Sequence, residues 1–285
     1  LLLKGLCMPY ETGLSYDDVL LVPQRSPVDT REDVDLTTEL ADGVEFPIPV
    51  VTAAMDTVTE AEMAQAIGET GGLGGIHRFL PIDDQAEMVR SVTETGVPAT
   101  GAVGIAEEYE SRAAALVEAG AYMLVLDVAH GHMERTIEAT ETLSGRFPET
   151  PLCAGNVATE AGVADIAAAG ADCVKIGIGP GSHCTTREVT GFGVPQFTAV
   201  ERCAAAAREH GVTTIADGGI RTSGDAVKAL LAGADAVMMG GFFAGTAESP
   251  GEIVEIDGDQ YKRSRGMSTA AAAEDREDKA GDVEA

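Results

Sequence analysis

The chain has 285 residues, with 47 acidic against 19 basic side chains and a net charge of −28. That balance argues against nucleic-acid binding, which needs basic patches to neutralise phosphates. No apolar run approaches the roughly 20 residues that a membrane-spanning helix requires.

Hydrophobic residues make up 45% of the chain, aromatics only 4%, and tryptophan is absent, so a soluble fold here needs an aliphatic core. The acids are spread along the chain rather than clustered. This favours a heavily solvated, halophilic type of surface over a docking face for a basic partner. The opening LLLKGL is too short for a signal peptide, and a cytoplasmic protein is expected. Cysteines stand at 7, 153, 173, 184 and 203. An odd number with no CxxC pair argues against a disulfide framework and a zinc site. Cys153, Cys173 and Cys203 lie in apolar settings and read as small buried hydrophobes.

Residues 1–45 read as an irregular entry packed on the main body of the fold. From there strands and helices alternate. Ile48–Thr52 reads as a strand and Glu60–Thr70 as a helix with Thr59 as its cap. Leu73–Ile76, Thr100–Ile105, Tyr122–Val128 and Pro151–Gly155 read as strands. Ile82–Val92, Glu107–Ala119, Met133–Arg146 and Glu160–Ala169 are the helices after them. Strand Asp172–Ile176 precedes a glycine-rich loop and helix Gln196–His210. Strands Thr213–Asp217 and Ala234–Met239 flank helix Gly224–Ala232. Eight strands alternating with helices predict an α/β fold, a (β/α)8 TIM barrel over residues 46–251. An open doubly wound sheet fits less well, because no GxGxxG comes after the first strand. Residues 252–285 predict a β-hairpin with an Asp-Gly-type turn and the start of a mobile flap. The sequence there shows no final apolar helix, so the chain reads as cut off inside that segment.

The chemistry concentrates at strand ends. Lys175–Pro195 runs from a β-branched strand into glycines and hydroxyl residues around Cys184. Glycine at this density lets backbone amides approach a ligand, and a thiolate there can be activated by those amides and a nearby cation. Asp217-Gly218-Gly219 and Gly240-Gly241 end the last two strands, where barrel enzymes hold phosphate; Ser182 could add a hydroxyl. Asp217 suits a ribose diol. Asp127 and Asn156 end the fourth and fifth strands and serve equally well as helix caps or as site residues. Arg78 is either a surface cation or a contact for a second phosphate. His130 and His132 lack a third ligand for a metal. An aldolase- or isomerase-type barrel would want a lysine or glutamate base at a strand end, and Lys175 is the one lysine near one.

GIGPGSHCTTR, together with IADGG, AVMMGG, AAMDTVTEAEMA and AGTAESPGE, resembles the inosine monophosphate dehydrogenase and GMP reductase family from Gly13 to Met267. The resemblance implies attack by Cys184 on C2 of a purine nucleotide, a thioimidate intermediate, and hydride transfer to or from a nicotinamide, with Thr186 as a second catalytic residue. It places Met55, Ser182, Gly218, Gly219, Gly240, Gly241, Gly266 and Met267 on the nucleotide and Asp217 on its ribose. Asp127, Asn156 and Arg78 fall on the cofactor side. Carbonyls of Gly179, Gly181 and Cys184 would hold potassium, and a homotetramer is expected.

Dehydrogenases usually insert paired cystathionine-synthase-type modules after the second helix, and Val92 to Thr100 leaves no room for them. Thr190-Gly191, Gly266-Met267-Ser268 and Arg78 resemble the reductase branch, whereas VPQ, IADGG and AESPGE resemble the dehydrogenase. The expected reaction is NADPH-dependent reduction of GMP to IMP and ammonia. The alternatives are oxidation of IMP to XMP with NAD, and a purine-nucleotide-binding protein without turnover.

Overall fold

The computed structural model describes residues 12–181 and 184–267. Eight strands close into a barrel: β1 Val50–Thr52, β2 Leu73–Ile76, β3 Ala99–Val103, β4 Leu124–Asp127, β5 Leu152–Val157, β6 Cys173–Ile176, β7 Thr213–Asp217 and β8 Ala236–Met239. All neighbours are parallel and adjacent in chain order. Closure runs through Val237↔Val50 and Met239↔Thr52. The strands are apolar along their length because they are covered on both faces, as β3, buried at every residue, illustrates.

The connecting helices are α1 Ala61–Glu69, α2 Ile82–Thr93, α3 Tyr109–Glu118, α4 Glu134–Arg146, α5 Glu160–Ala168, α6 Thr186–Thr190, α7 Gln196–His210 and α8 Ser223–Leu231. Thr222 opens α8 with a capping box to Asp225, and Gly211 ends α7 at a φ of 70°. One apolar cluster fills the barrel interior, including Val51, Leu73, Val125, Ile215 and Met238. Its floor is closed by Leu40, Val44 and Phe46 from a short hairpin pairing Thr38–Glu39 with Glu45–Phe46. The larger cluster lies between strands and helices.

Three local expectations are corrected. β1 starts at Val50 rather than Ile48, since Pro47 and Pro49 have no N–H to donate to a ladder. Thr59 does not cap α1: its hydroxyl donates to Ala53 O at 2.7 Å, and Glu60 occupies the cap position without a side-chain bond. The cysteine loop is not irregular throughout, because Thr186–Thr190 winds into α6 before Gly191 turns left-handed. The C-terminal hairpin pairs Ile253–Ile256 with Asp259–Lys262 around Asp257-Gly258, both with positive φ as a tight two-residue turn requires.

Candidate active site

The C-terminal ends of β4 to β7 bring one cation and three polar partners together. Lys175 Nζ lies 2.7 Å from Asp127 Oδ1 and 2.6 Å from Asp217 Oδ2, and it also donates to Asn156 Oδ1. Asn156 Nδ2 donates to Gly177 O at 2.7 Å and to Asp217 Oδ2 at 2.8 Å. Burial alone would push the Lys175 ammonium toward neutrality. The Asp127 and Asp217 charges outweigh it, and its pKa sits above the ordinary lysine value. Burial likewise pushes the Asp127 carboxyl up, but Lys175, helped by Arg78, holds it below the usual carboxylate range. Asp127 and Asn156 therefore serve this cluster, and neither occupies the cap of the helix after its strand. Lys175 is a fully committed cation rather than a base, which removes the aldolase reading.

Cys184 sits on the adjoining loop, partly exposed, its thiol donating to Thr186 Oγ1 at 3.1 Å. The loop is held by Arg187, whose Nε reaches Ile178 O at 3.1 Å and whose Nη2 reaches Val194 O at 2.5 Å, bridging its two legs. Gly179, with φ 71°, leaves space for that side chain: a Cβ there would lie 2.6 Å from Arg187 Cγ. Burial lowers the Arg187 pKa, an effect the Cys184 charge offsets in part. Gln196 at the start of α7 fixes the strand ends from behind, donating to Ile176 O at 2.9 Å and Asp217 O at 3.1 Å. The other cysteines behave differently. Cys153 and Cys173 face each other across β5 and β6, wholly buried, and burial pushes the Cys203 thiol up to about 12.

Two cavities meet at the cysteine. One, of about 330 Å³, is walled by Ala53, Met55, Gly181, Cys184, Asp217, Gly218, Gly219, Gly240 and Gly241. The other, of about 300 Å³, is walled by Met55, Arg78, Phe79, Asp127, Asn156, Lys175, Gly179, Gly181, Cys184, Thr186, Asp217, Gly218 and Met267. Met55, Gly181, Cys184, Asp217 and Gly218 belong to both, so the sulfur stands at the partition. Gly266 is buried beside Met267. Ser182 lies outside the described residues. Residue reasoning missed Lys175 as the centre of the cluster, Phe79 under the Arg78 guanidinium at 4.7 Å, and Gln196. A larger groove, of about 680 Å³, opens at the opposite rim around Gly72 and Tyr122, the end that barrels use for stability rather than chemistry. His132 pairs with Asp165 at 2.7 Å, and no cluster of three or more metal-ligating side chains occurs among the described residues.

Gly218→Ala tests the glycine turn. At φ 90° a side chain is strained, and its Cβ would stand 2.9 Å from Pro180 Cγ and 3.1 Å from Gly181 N. The expected result is a loss of about 1–3 kcal/mol of stability by denaturant titration, with weakened ligand binding in the first cavity.

The family model described as IMP dehydrogenase / GMP reductase domain matches residues 13–284. An inosine-5′-monophosphate dehydrogenase of Aquifex aeolicus is 37% identical over 93% of this chain and 80% of its own length. Proteins of the same name from Nitrosopumilus maritimus and Staphylococcus saprophyticus are 33% and 35% identical, over 95% and 92% of this chain and 83% and 80% of their own lengths. These alignments run over 392, 396 and 389 positions against 285 residues here, so the relatives carry residues within the matched span that this chain lacks. A parallel eight-stranded barrel with a loop cysteine between two rim cavities, and matches over nearly its whole length, place the chain in the IMP dehydrogenase / GMP reductase family.

Proposed function

We propose that this chain oxidises IMP to XMP with NAD. The observation that carries the reading is the position of Cys184 between two cavities, one lined by the glycine pairs after the last two strands and one by Arg78, Phe79 and Asp127. The named relatives favour this direction over the GMP reduction that Thr190-Gly191 and Arg78 suggest in the sequence. In this reading Gly219, Gly240 and Gly241 offer a glycine-lined surface to the phosphate. Asp217 engages Lys175 and Asn156 through Oδ2, which leaves Oδ1 for the ribose hydroxyls. Cys184 adds as thiolate to C2 of the purine, with Thr186 placed to donate a hydrogen bond to the sulfur once the thiol proton has left. NAD, when bound, supplies the hydride acceptor for C2. Water then adds to C2 of the resulting thioimidate, the C–S bond breaks, and XMP leaves with the thiol restored.

The second cavity fits such a cofactor. Arg78 Nε is buried there without a hydrogen-bond partner among the described residues, and Asp127 presents an ionised carboxylate. The same Arg78 guanidinium favours a second reading, in which a phosphate-bearing NADPH reduces GMP to IMP with release of ammonia. Carbonyls of Gly179, Gly181 and Cys184 are hard oxygen donors of the kind potassium takes. A homotetramer is the assembly proposed for the acidic chain, and no helix among the described residues is long and apolar enough to cross a membrane.

The test pairs IMP with NAD, and separately GMP with NADPH, following the reduced-cofactor absorbance. Cofactor reduction in the first pair is the expected result. Oxidation in the second pair alone would replace this reading with GMP reduction. Tight nucleotide binding with no turnover in either would leave a binding protein.

A further inference from the structure

The segment returning from the C-terminal hairpin is tied to the loop after β1 by an ion pair outside both cavities. Arg265 donates from Nε at 3.1 Å and from Nη2 at 2.7 Å to Asp56 Oδ2. Its main-chain N–H reaches Thr57 Oγ1 at 3.4 Å, which in turn lies 3.4 Å from Ser264 Oγ. The Asp56 side chain is only 13% exposed, and its Oδ1 is buried with no hydrogen-bond partner among the described residues. A carboxylate with one oxygen buried and unbonded depends heavily on the cation at the other. Each partner stands next to a site wall. Met55 precedes Asp56 and borders both cavities, while Gly266 and Met267 come directly after Arg265, Met267 bordering the second cavity. The hairpin itself has a separate anchor, Lys262 Nζ on Ala247 O at 2.9 Å and Ser249 O at 2.5 Å.

We propose that Asp56 and Arg265 form a positioning latch that fixes Met267 opposite Met55 across the site mouth and so sets affinity for the nucleotide and cofactor. The inference rests on the assignment of the first cavity to the nucleotide and the second to the cofactor. Neither residue touches the reacting atoms, so the latch should govern binding and leave the chemical step nearly intact.

Asp56→Asn preserves shape but removes the charge, and Arg265→Lys preserves the charge but replaces a planar fork with a single ammonium. Calorimetry with IMP, KM and kcat for both substrates, and the melting temperature are measured on wild type and both variants. Asp56→Asn is expected to raise the IMP Kd and KM about tenfold, roughly 1.4 kcal/mol. Its kcat should stay within about threefold of wild type, and Arg265→Lys should fall between the two. IMP affinity within twofold of wild type in both variants overturns the latch, whatever their melting temperatures. Should Asp56→Asn fail to fold, Arg265→Lys decides alone on the same readout. Wild type that binds neither IMP nor GMP overturns the cavity assignment and the latch together; wild type that binds while the variants match it overturns the latch alone.

Discussion

Cys184→Ser is expected to lower turnover by at least about a thousandfold while changing the IMP dissociation constant by no more than a few-fold. The reason is chemical rather than steric. Serine has nearly the volume of cysteine, but its hydroxyl keeps its proton at neutral pH and would need a base to attack C2. The side-chain partner given to the sulfur is the Thr186 hydroxyl, which is no base. The nucleotide's phosphate and ribose would rest on Gly219, Gly240, Gly241 and Asp217, none of which the substitution disturbs. Single-turnover cofactor absorbance and calorimetry check the two halves. Cys203→Ala is the control: that thiol is packed in the core, so it should alter stability and leave turnover alone. Turnover within tenfold of wild type in Cys184→Ser would remove the covalent mechanism.

Much of the barrel was legible because its signal is local. Each strand is a short apolar run, each helix a periodic one, and their alternation forces parallel pairing. Asp127, Asn156 and Asp217 were legible for the same reason, since each lies at the C-terminal end of a strand, as was Cys184 on the glycine-rich loop after one, and barrel geometry gathers these at one rim. What could not be read was register. Lys175 looks like a lone lysine in the apolar run VKI near the end of its strand. Only the pairing of Lys175 with Gly155 on one side and Ile215 on the other brings Asp127, Asn156 and Asp217 within its reach. Gly155 is required there too, because a Cβ would stand 2.5 Å from Lys175 O. The short helix α6 was hidden by the glycines on either side of it, which argue for a loop. The Asp56–Arg265 pair spans most of the chain and has no sequence signature. Reaction direction was read from a few residue choices such as Thr190-Gly191, and the relatives weigh against that choice.

Lys175→Met should be the most destabilising single change in the site, and its effect should depend on pH. Methionine keeps the apolar stem but removes a cation held against two carboxylates and an amide oxygen, all largely out of water. Breaking such a buried pair by deleting one partner costs about 3–5 kcal/mol, because the remaining charges lose their balance. In the wild type, Asp127 is held below its ordinary pKa. Its contribution is therefore present above the unfolded carboxylate value and is lost as pH falls through the folded one. Lys175 is held above its ordinary pKa, so its contribution is complete below the unfolded lysine value and fades only as strongly alkaline pH approaches the folded one. Removing the ammonium takes away the main charge that opposes burial at Asp127 and leaves Arg78 alone to do so. The folded pKa of Asp127 should rise, so the variant should lose less stability on acidification than the wild type does. Denaturant titrations of both proteins between about pH 4 and 8 should show a deficit that widens as pH rises. A deficit that is constant across that range would mean that Asp127 is not balanced by Lys175, and that the cluster holds the strand ends by hydrogen bonds alone.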